Sequence, residues 1–276
     1  MNIIGLGKAG CAIADCFGEY PQYNIFKIDV DIKGKQCYTI ERKRSPEEYE
    51  QAAPDLSDFF GDIKGRAIFV IGGSGNISAM CLRIMEQIKD KCEIDVLYIR
   101  PDIELLAGNK KLHEKVTYNV LQHYARSSAI NRVFLVSNPD VENTMGSVPV
   151  MGYHDALNQF IVSTIHMINV FNNSEPVMGS YEDPGQTQRI CTIGTYDVES
   201  GEEKMFFPLD SVREMRYIYA VGEKVLREDG GLHKRIVTQM KGKTTDEIQN
   251  VSFGVYPTNY NTAYGYLLAY SPNIQN

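Results

Sequence analysis

Ala67-Ile68-Phe69-Val70-Ile71-Gly72-Gly73-Ser74-Gly75-Asn76-Ile77-Ser78 decides the reading of this chain. An unbroken apolar run of this length makes a strand covered on both faces, as in parallel sheets. A glycine-rich turn follows at once, and then Ile77, Met80, Cys81, Ile84 and Ile88 recur at helical spacing. Ser74, Ser78 and the backbone amides of such a turn can ligate phosphate oxygens as a nest. A side chain at Gly73 would crowd that phosphate. The Gly-Lys-Ser/Thr ending of a P-loop is missing.

A turn of the same kind opens the chain. Residues 2–6 read as a strand and 9–18 as a helix, joined by Gly5-Leu6-Gly7-Lys8-Ala9-Gly10. Glycines there let a backbone approach an anion, and the helix that follows offers free N–H groups and a positive dipole end. Asp29 lies near the end of the next strand, 23–30, where a dinucleotide-binding unit carries its ribose acid. Candidate phosphate-binding residues are therefore Gly5, Gly7, Lys8, Ala9 and Gly10 in one turn, and Gly72, Gly73, Ser74, Gly75 and Asn76 in the other.

Working outward, Ser45-Pro46-Glu47-Glu48 announces a helix that Pro54 splits into two short ones. Strands follow at 94–99 and 132–137 with a helix at 108–126 between them. This alternation predicts an α/β fold with a parallel sheet, whose ligand edge is the C-terminal end of the strands. A long helix spans 153–171, with Leu157, Phe160, Ile161, Ile165 and Ile168 on one stripe. The stretch 172–188 is rich in Asn, Ser, Gly and Pro and reads as a loop and domain boundary. Beyond it, strands at 189–197 and 204–207, helices at 211–227 and 232–240, and strands at 251–256 and 264–269 predict a smaller α+β domain with a mixed sheet. The division is a nucleotide-binding domain at 1–152, the central helix and loop at 153–187, and the α+β domain at 188–276.

Composition narrows the function classes. At 276 residues and 43% hydrophobic, the chain can bury a substantial core. A net charge of -7 with no basic stripe argues against nucleic acid as a partner. No apolar stretch nears the ~18 residues of a membrane span, and no signal peptide precedes the first strand. The six cysteines form no CxxC pair and suit a reducing, cytoplasmic setting as small buried hydrophobes. No Cys/His cluster with zinc spacing is present, so no metal ligands are assigned. His113, His123, His154, His166 and His233 are scattered and form no catalytic set.

Two such glycine turns with one long helix resemble the tubulin/FtsZ family of GTP-binding filament proteins. In that family one turn follows the first strand, and a Gly-Gly-Gly-Thr-Gly-Ser/Thr-Gly turn follows the fourth; here the latter is Gly72-Gly73-Ser74-Gly75-Asn76-Ile77-Ser78. Ile99-Arg100-Pro101 resembles the Thr-Arg-Pro of many bacterial members. The resemblance implies that Asn138 contacts the base. It likewise implies that His154 and, one turn later, Asn158 meet the guanine ring from the long helix. The cofactor implied is GTP or GDP, with Mg2+ as its accompanying ion, and the partner is another copy, joined head to tail in a filament.

The departures from the family bear on hydrolysis. Lys8 replaces a small residue and can neutralise phosphate charge, reducing dependence on a metal. The ribose acid falls near Ala107, with Lys111 as its basic partner, so the acid is lost unless Glu104 substitutes. The family's catalytic loop carries Asn-x-Asp-x-x-Asp and completes the site of the next subunit. Here the equivalent stretch, Val177 to Pro184, offers only Glu182 and Asp183 as catalytic candidates, and the helix that normally follows is shortened or absent. The resemblance thus implies a GTPase with a degraded catalytic loop and weak or lost hydrolysis. No acidic tail or docking peptide follows the last strand, so recruitment through a tail is not expected. Two other readings stay open at this point: an NAD(P)-dependent oxidoreductase built on Gly5, Gly7, Gly10 and Asp29, and an assembly or capping module without nucleotide.

Overall fold

The computed structural model describes every residue except Tyr181. The chain forms two compact units, Met1–Val162 and Ser163–Asn276.

The first unit opens with β1 (Asn2–Leu6), α1 (Gly7–Phe17), β2 (Asn24–Asp29) and β3 (Cys37–Thr39). Next come α2 (Pro46–Gln51) and α3 (Ser57–Phe60), divided at Pro54 as its missing N–H and fixed φ require. Ser45 caps α2 by accepting the Glu48 N–H at 3.2 Å, while the Glu48 carboxylate accepts the Arg44 N–H at 3.0 Å. Then follow β4 (Gly65–Gly72), a 3-10 turn (Asn76–Met80) leading into α4 (Cys81–Glu86), β5 (Cys92–Arg100) and α5 (Asn109–Arg126). β6 (Arg132–Ser137), α6 (Asn138–Met145) and the start of α7 (Tyr153–Asn172) complete the unit.

The sheet of this unit runs β3-β2-β1-β4-β5-β6 with every pairing parallel. The chain winds one way from β1 and the other way from β4. The order therefore reverses between β1 and β4, which leaves a crevice at their C-terminal ends. Ile3, Ile4, Phe69, Val70, Ile71 and Val96 are fully buried, in keeping with helices on both faces. On α7, Leu157 and Ile161 are buried.

The second unit adds β7 (Met178–Ser180), β8 (Ile190–Tyr196), β9 (Glu203–Met205), β10 (Glu214–Gly222), α8 (Glu223–Glu228), α9 (Leu232–Lys241), β11 (Asn250–Thr258) and β12 (Tyr264–Ser271). Its sheet runs β8-β12-β10-β11-β7, with β9 on β8. Only β10 and β11 pair in parallel, so the sheet is mixed as expected. Tyr196, Tyr217 and Tyr219 of the sheet form its core together with Ile236 and Met240 of α9. Lys243 ties α9 down by donating to the Gly201 carbonyl at 3.1 Å and pairing with Glu203.

Two local expectations fail here. Residues 211–227 are not a helix: Glu214–Gly222 is the central strand β10, and only Glu223–Glu228 is helical. Eight successive residues of β10 are buried, and a run that is apolar on both faces fits either period. The β-branched and aromatic stretch Tyr217-Ile218-Tyr219 and its central place between β11 and β12 settle it as strand. The stretch 172–188 is also not wholly loop, because Met178–Ser180 pairs antiparallel with β11. No helix is described between α7 and β8, and the chain enters β8 at Ile190.

Candidate functional site

Both glycine turns stand at the switch point, on the two adjacent strands β1 and β4. Gly7 has φ +71°, a conformation that L side chains rarely adopt, and a Cβ there would stand 2.6 Å from Ile77 Cγ2. A Cβ on Gly10 would meet the Val70 carbonyl oxygen at 2.4 Å, so glycine lets α1 lie directly on β4. Across the gap, a Cβ on Gly72 would come within 3.2 Å of Ala9 Cβ. The first turn therefore touches the second.

No side chain caps α1, and its first turn carries no acid. Its leading residues Lys8 and Ala9 are exposed, at the end of the helix where backbone N–H groups lack intrahelical partners and the dipole is positive. Lys8 makes no ion pair among the described residues. This is an anion cradle in its chemistry.

The second turn is more committed to its own structure. The Gly73 N–H donates to the Ile99 carbonyl at 3.0 Å. Ser78 donates its hydroxyl to the Gly72 carbonyl at 2.7 Å and is buried, and the Asn76 side-chain amide donates to the Arg44 carbonyl at 3.3 Å. The expectation that the Ser78 hydroxyl meets phosphate therefore fails in this arrangement. The expectation that a side chain at Gly73 crowds a ligand fails too: the space beside Gly73 holds Tyr98. Ser74 and Gly75 remain at the surface of the crevice, half-buried and exposed.

Beneath the second turn lies a buried polar group. Tyr98 donates to Glu114 Oε1 at 3.0 Å, and Arg100 Nε donates to the same oxygen at 3.0 Å. The Arg100 guanidinium stands 4.4 Å over the Tyr118 ring. Burial, and then the Glu114 carboxylate, push the Tyr98 phenol far above its usual range. Removing Arg100 or Glu114 would leave the other's charge without its ion-pair partner, which is costly. Sequence reading assigned Arg100 to a motif and missed Tyr98 and Glu114. Their signal was a Tyr inside a buried strand and a Glu on the inward face of α5.

Asn138 is the first residue of α6, half-buried at the C-terminal end of β6. It therefore lies on the same sheet edge as the glycine turns. On α7, His154 is exposed and Asn158 half-buried. The neighbouring Tyr153, which the spacing argument passed over, is half-buried and donates to Glu142 Oε2 of α6 at 2.5 Å. Burial and then Glu142 push its phenol up to about 12, with Asp102 of the loop after β5 adding to the effect. Asp29 accepts the N–H of its own successor Val30 at 2.8 Å. Ala107, Lys111 and Glu104 are all exposed.

Glu182 and Asp183 belong to the second unit and sit exposed after β7; Tyr181, which also falls between Val177 and Pro184, lies outside the described residues. Pro184 beyond them is buried, and the Gly185 N–H donates to both carboxylate oxygens of Glu214 at 3.2 Å. No group of three or more His, Cys, Asp or Glu that could hold a metal ion occurs among the described residues. No helix among them is long and apolar enough to cross a membrane. None of the six cysteines, all among the described residues, forms a disulfide.

No protein-family model matches the sequence, and no curated protein does either. Solved structures do. A GTPγS-form protofilament of TubZ from Bacillus thuringiensis serovar israelensis superposes with a TM-score of 0.73 at 16% identity, covering 98% of this chain and 86% of that one. The GDP-bound monomer of CetZ1 from Haloferax volcanii gives 0.68 at 16% identity, covering 99% and 94%. The empty FtsZ dimer of M. jannaschii gives 0.67 at 10% identity, covering 98% and 87%. The chain has the tubulin/FtsZ-like fold over nearly its whole length.

Proposed function

We propose that this protein binds a guanine nucleotide at the β1/β4 crevice and self-associates head to tail into filaments, with weak or lost GTP hydrolysis. The observation that carries the reading is the contact between the two glycine turns, Gly72 against Ala9, at the C-terminal edge of one parallel sheet. The fold supports it, as do the nucleotide-bound and protofilament states of the similar structures.

In this reading the amides of Lys8 and Ala9 and the turn Ser74-Gly75 hold the phosphates, and Lys8 adds a positive charge where a metal would otherwise carry it. Gly5, Gly7, Gly10, Gly72 and Gly73 shape the cradle, and Asn76 ties its far end to the loop before α2. Asn138 addresses the base edge and α7 the ring, through His154, Asn158 and the adjacent Tyr153. If Mg2+ accompanies the nucleotide, phosphate oxygens and water would be its ligands, since such an ion needs few protein ligands. Glu182 and Asp183, delivered by a neighbouring copy, are the acids that orient water.

One observation favours a second reading, an assembly module that binds no nucleotide. The Gly73 backbone N–H, the Ser78 hydroxyl and the Asn76 side-chain amide are all spent on the protein's own carbonyls. Titration with a fluorescent GTP analogue, competed by GTP, GDP, ATP and NADH, separates the readings. Displacement by GTP and GDP alone supports the first. Absence of binding together with concentration-dependent pelleting supports the second. Binding displaced only by NADH would mean an oxidoreductase.

A further inference from the structure

One helix breaks with the charge of the chain. The net charge is -7, yet residues 105–139 hold five Lys and Arg against a single acid, Glu114. That acid is buried and paired with Arg100, so it gives the surface no negative charge. Lys110, Lys111, Lys115 and Arg126 of α5 are exposed and make no ion pair among the described residues. Lys110 and Lys111 stand in the first turn of α5, which carries no acid, and the helix dipole disfavours cations there. Helix stability therefore does not account for this charge.

The same helix leaves apolar side chains in water. Leu112 is 59% and Val116 54% exposed, and Leu105, in the loop that leads into α5, is 82% exposed. At about 3.6 residues per turn, Lys115, Arg126, Asn119, Leu112, His123 and Val116 fall within one arc of about 100°. The buried residues Tyr118, Leu121 and Ala125 lie outside it. Glu47 and Glu50 of α2 stand across a cleft on the other flank, whose lining includes His113 and Thr117 but neither Lys115 nor Arg126. The arc thus presents cationic and apolar side chains together, and no acid.

We infer that this face of α5 rests on an anionic lipid bilayer, with Leu112 and Val116 at the acyl boundary and Lys115 and Arg126 on lipid phosphates. Charge complementarity picks the sign of the surface, and the exposed leucine and valine pick its nature. A nucleic acid would engage the cations and leave the apolar side chains in water. A bilayer interface takes both, because apolar groups enter the headgroup boundary while long cationic side chains reach back to the phosphates. The contact is peripheral, since no helix among the described residues is long and apolar enough to cross a membrane. Each cation adds an attraction that fades within a Debye length, so adhesion depends on salt. Neither nucleotide nor self-association is needed for it.

The test is flotation of the full-length protein, without nucleotide, on vesicles of phosphatidylcholine alone or mixed equally with phosphatidylglycerol. Wild type is expected to float with the anionic vesicles roughly five-fold more than with the neutral ones, and to lose most of that in high salt. Lys115→Glu with Arg126→Glu should fall to the neutral-vesicle level. Leu112→Ser with Val116→Ser keeps every charge and should still lose at least about half of the flotation. Lys234→Glu with Lys241→Glu makes the same charge change at exposed positions of α9 and should float as wild type. Thermal melting checks that each variant is folded, and Lys115→Glu alone replaces the charge pair if the pair melts early. A wild type indifferent to anionic vesicles overturns the inference, as does undiminished flotation of either α5 variant or an equal loss in the α9 control. Duplex DNA is titrated in parallel: binding to it without flotation would make the basic face a nucleic-acid surface instead.

Discussion

Tyr98 closes the space beside Gly73: a Cβ on the glycine would stand 2.1 Å from the phenol oxygen and 3.1 Å from Glu114 Cγ. The second glycine turn is therefore shaped by packing from below, through a phenol that donates to a Glu114 oxygen also bonded by Arg100. A substitution at Gly73 acts first on this buried group and only then on any ligand. Gly75 is different. Its backbone, at φ -80° and ψ 136°, suits any residue, and the nearest atom to a Cβ there is Ser78 Oγ at 3.3 Å.

Gly73→Ala is expected to lower stability by roughly 1–3 kcal/mol, the usual cost of overpacking. The measurement is urea unfolding. If paired with Tyr98→Phe, which removes the phenol oxygen, part of the loss should be recovered. An unchanged midpoint for Gly73→Ala would mean that Tyr98 does not press on the turn.

Gly7→Ala combines a left-handed backbone with a clash against Ile77, so a loss of roughly 1–3 kcal/mol is expected, together with weaker nucleotide binding. Ile77→Ala in the same chain removes the clash and leaves the backbone strain. Thermal melting of the single and double variants should show that partial relief.

Asn138→Ala removes one hydrogen-bonding group at the start of α6 and should weaken GTP binding roughly two- to ten-fold. Stability should hardly move, since no partner for its side chain is described within the protein. A fluorescent-nucleotide titration gives the answer, and equal affinities would remove Asn138 from the site.

Glu182→Ala with Asp183→Ala should lower phosphate release in assembled protein and leave binding by the monomer unchanged, because both acids are exposed on the second unit. Turnover equal to wild type would make them ordinary loop residues.

Thiol labelling tests the core. Burial pushes Cys11 and Cys81 up to about 12, so neither carries appreciable thiolate at pH 8. Half-exposed Cys37 should react first with a disulfide reagent, with Cys11, Cys81 and Cys191 reacting only on unfolding. Rapid labelling of all six in native buffer would contradict the packing described.

Much of this was legible in the residues. The apolar run before Gly72 and the Gly-x-Gly-x-x-Gly turn fixed two parallel strands and their corners, because buried strands and tight glycine turns are local properties. What stayed hidden depends on tertiary partners. Glu214–Gly222 reads as helix as easily as strand until its neighbours β11 and β12 are known. His154 and Asn158 have the right spacing, yet spacing alone cannot tell which of two adjacent aromatic residues turns inward; Tyr153 does, to meet Glu142. The Ser78 hydroxyl looked free for phosphate because its acceptor, the Gly72 carbonyl, is created by the fold.

The most direct test is titration of a fluorescent GTP analogue into wild type and Gly75→Asp, side by side with their melting curves. Saturable binding by wild type, displaced by GTP and GDP, with affinity at least ten-fold lower in a Gly75→Asp protein that melts like wild type, is the result expected. Equal affinity in the two proteins, or no binding by wild type, would contradict a phosphate cradle at the paired glycine turns.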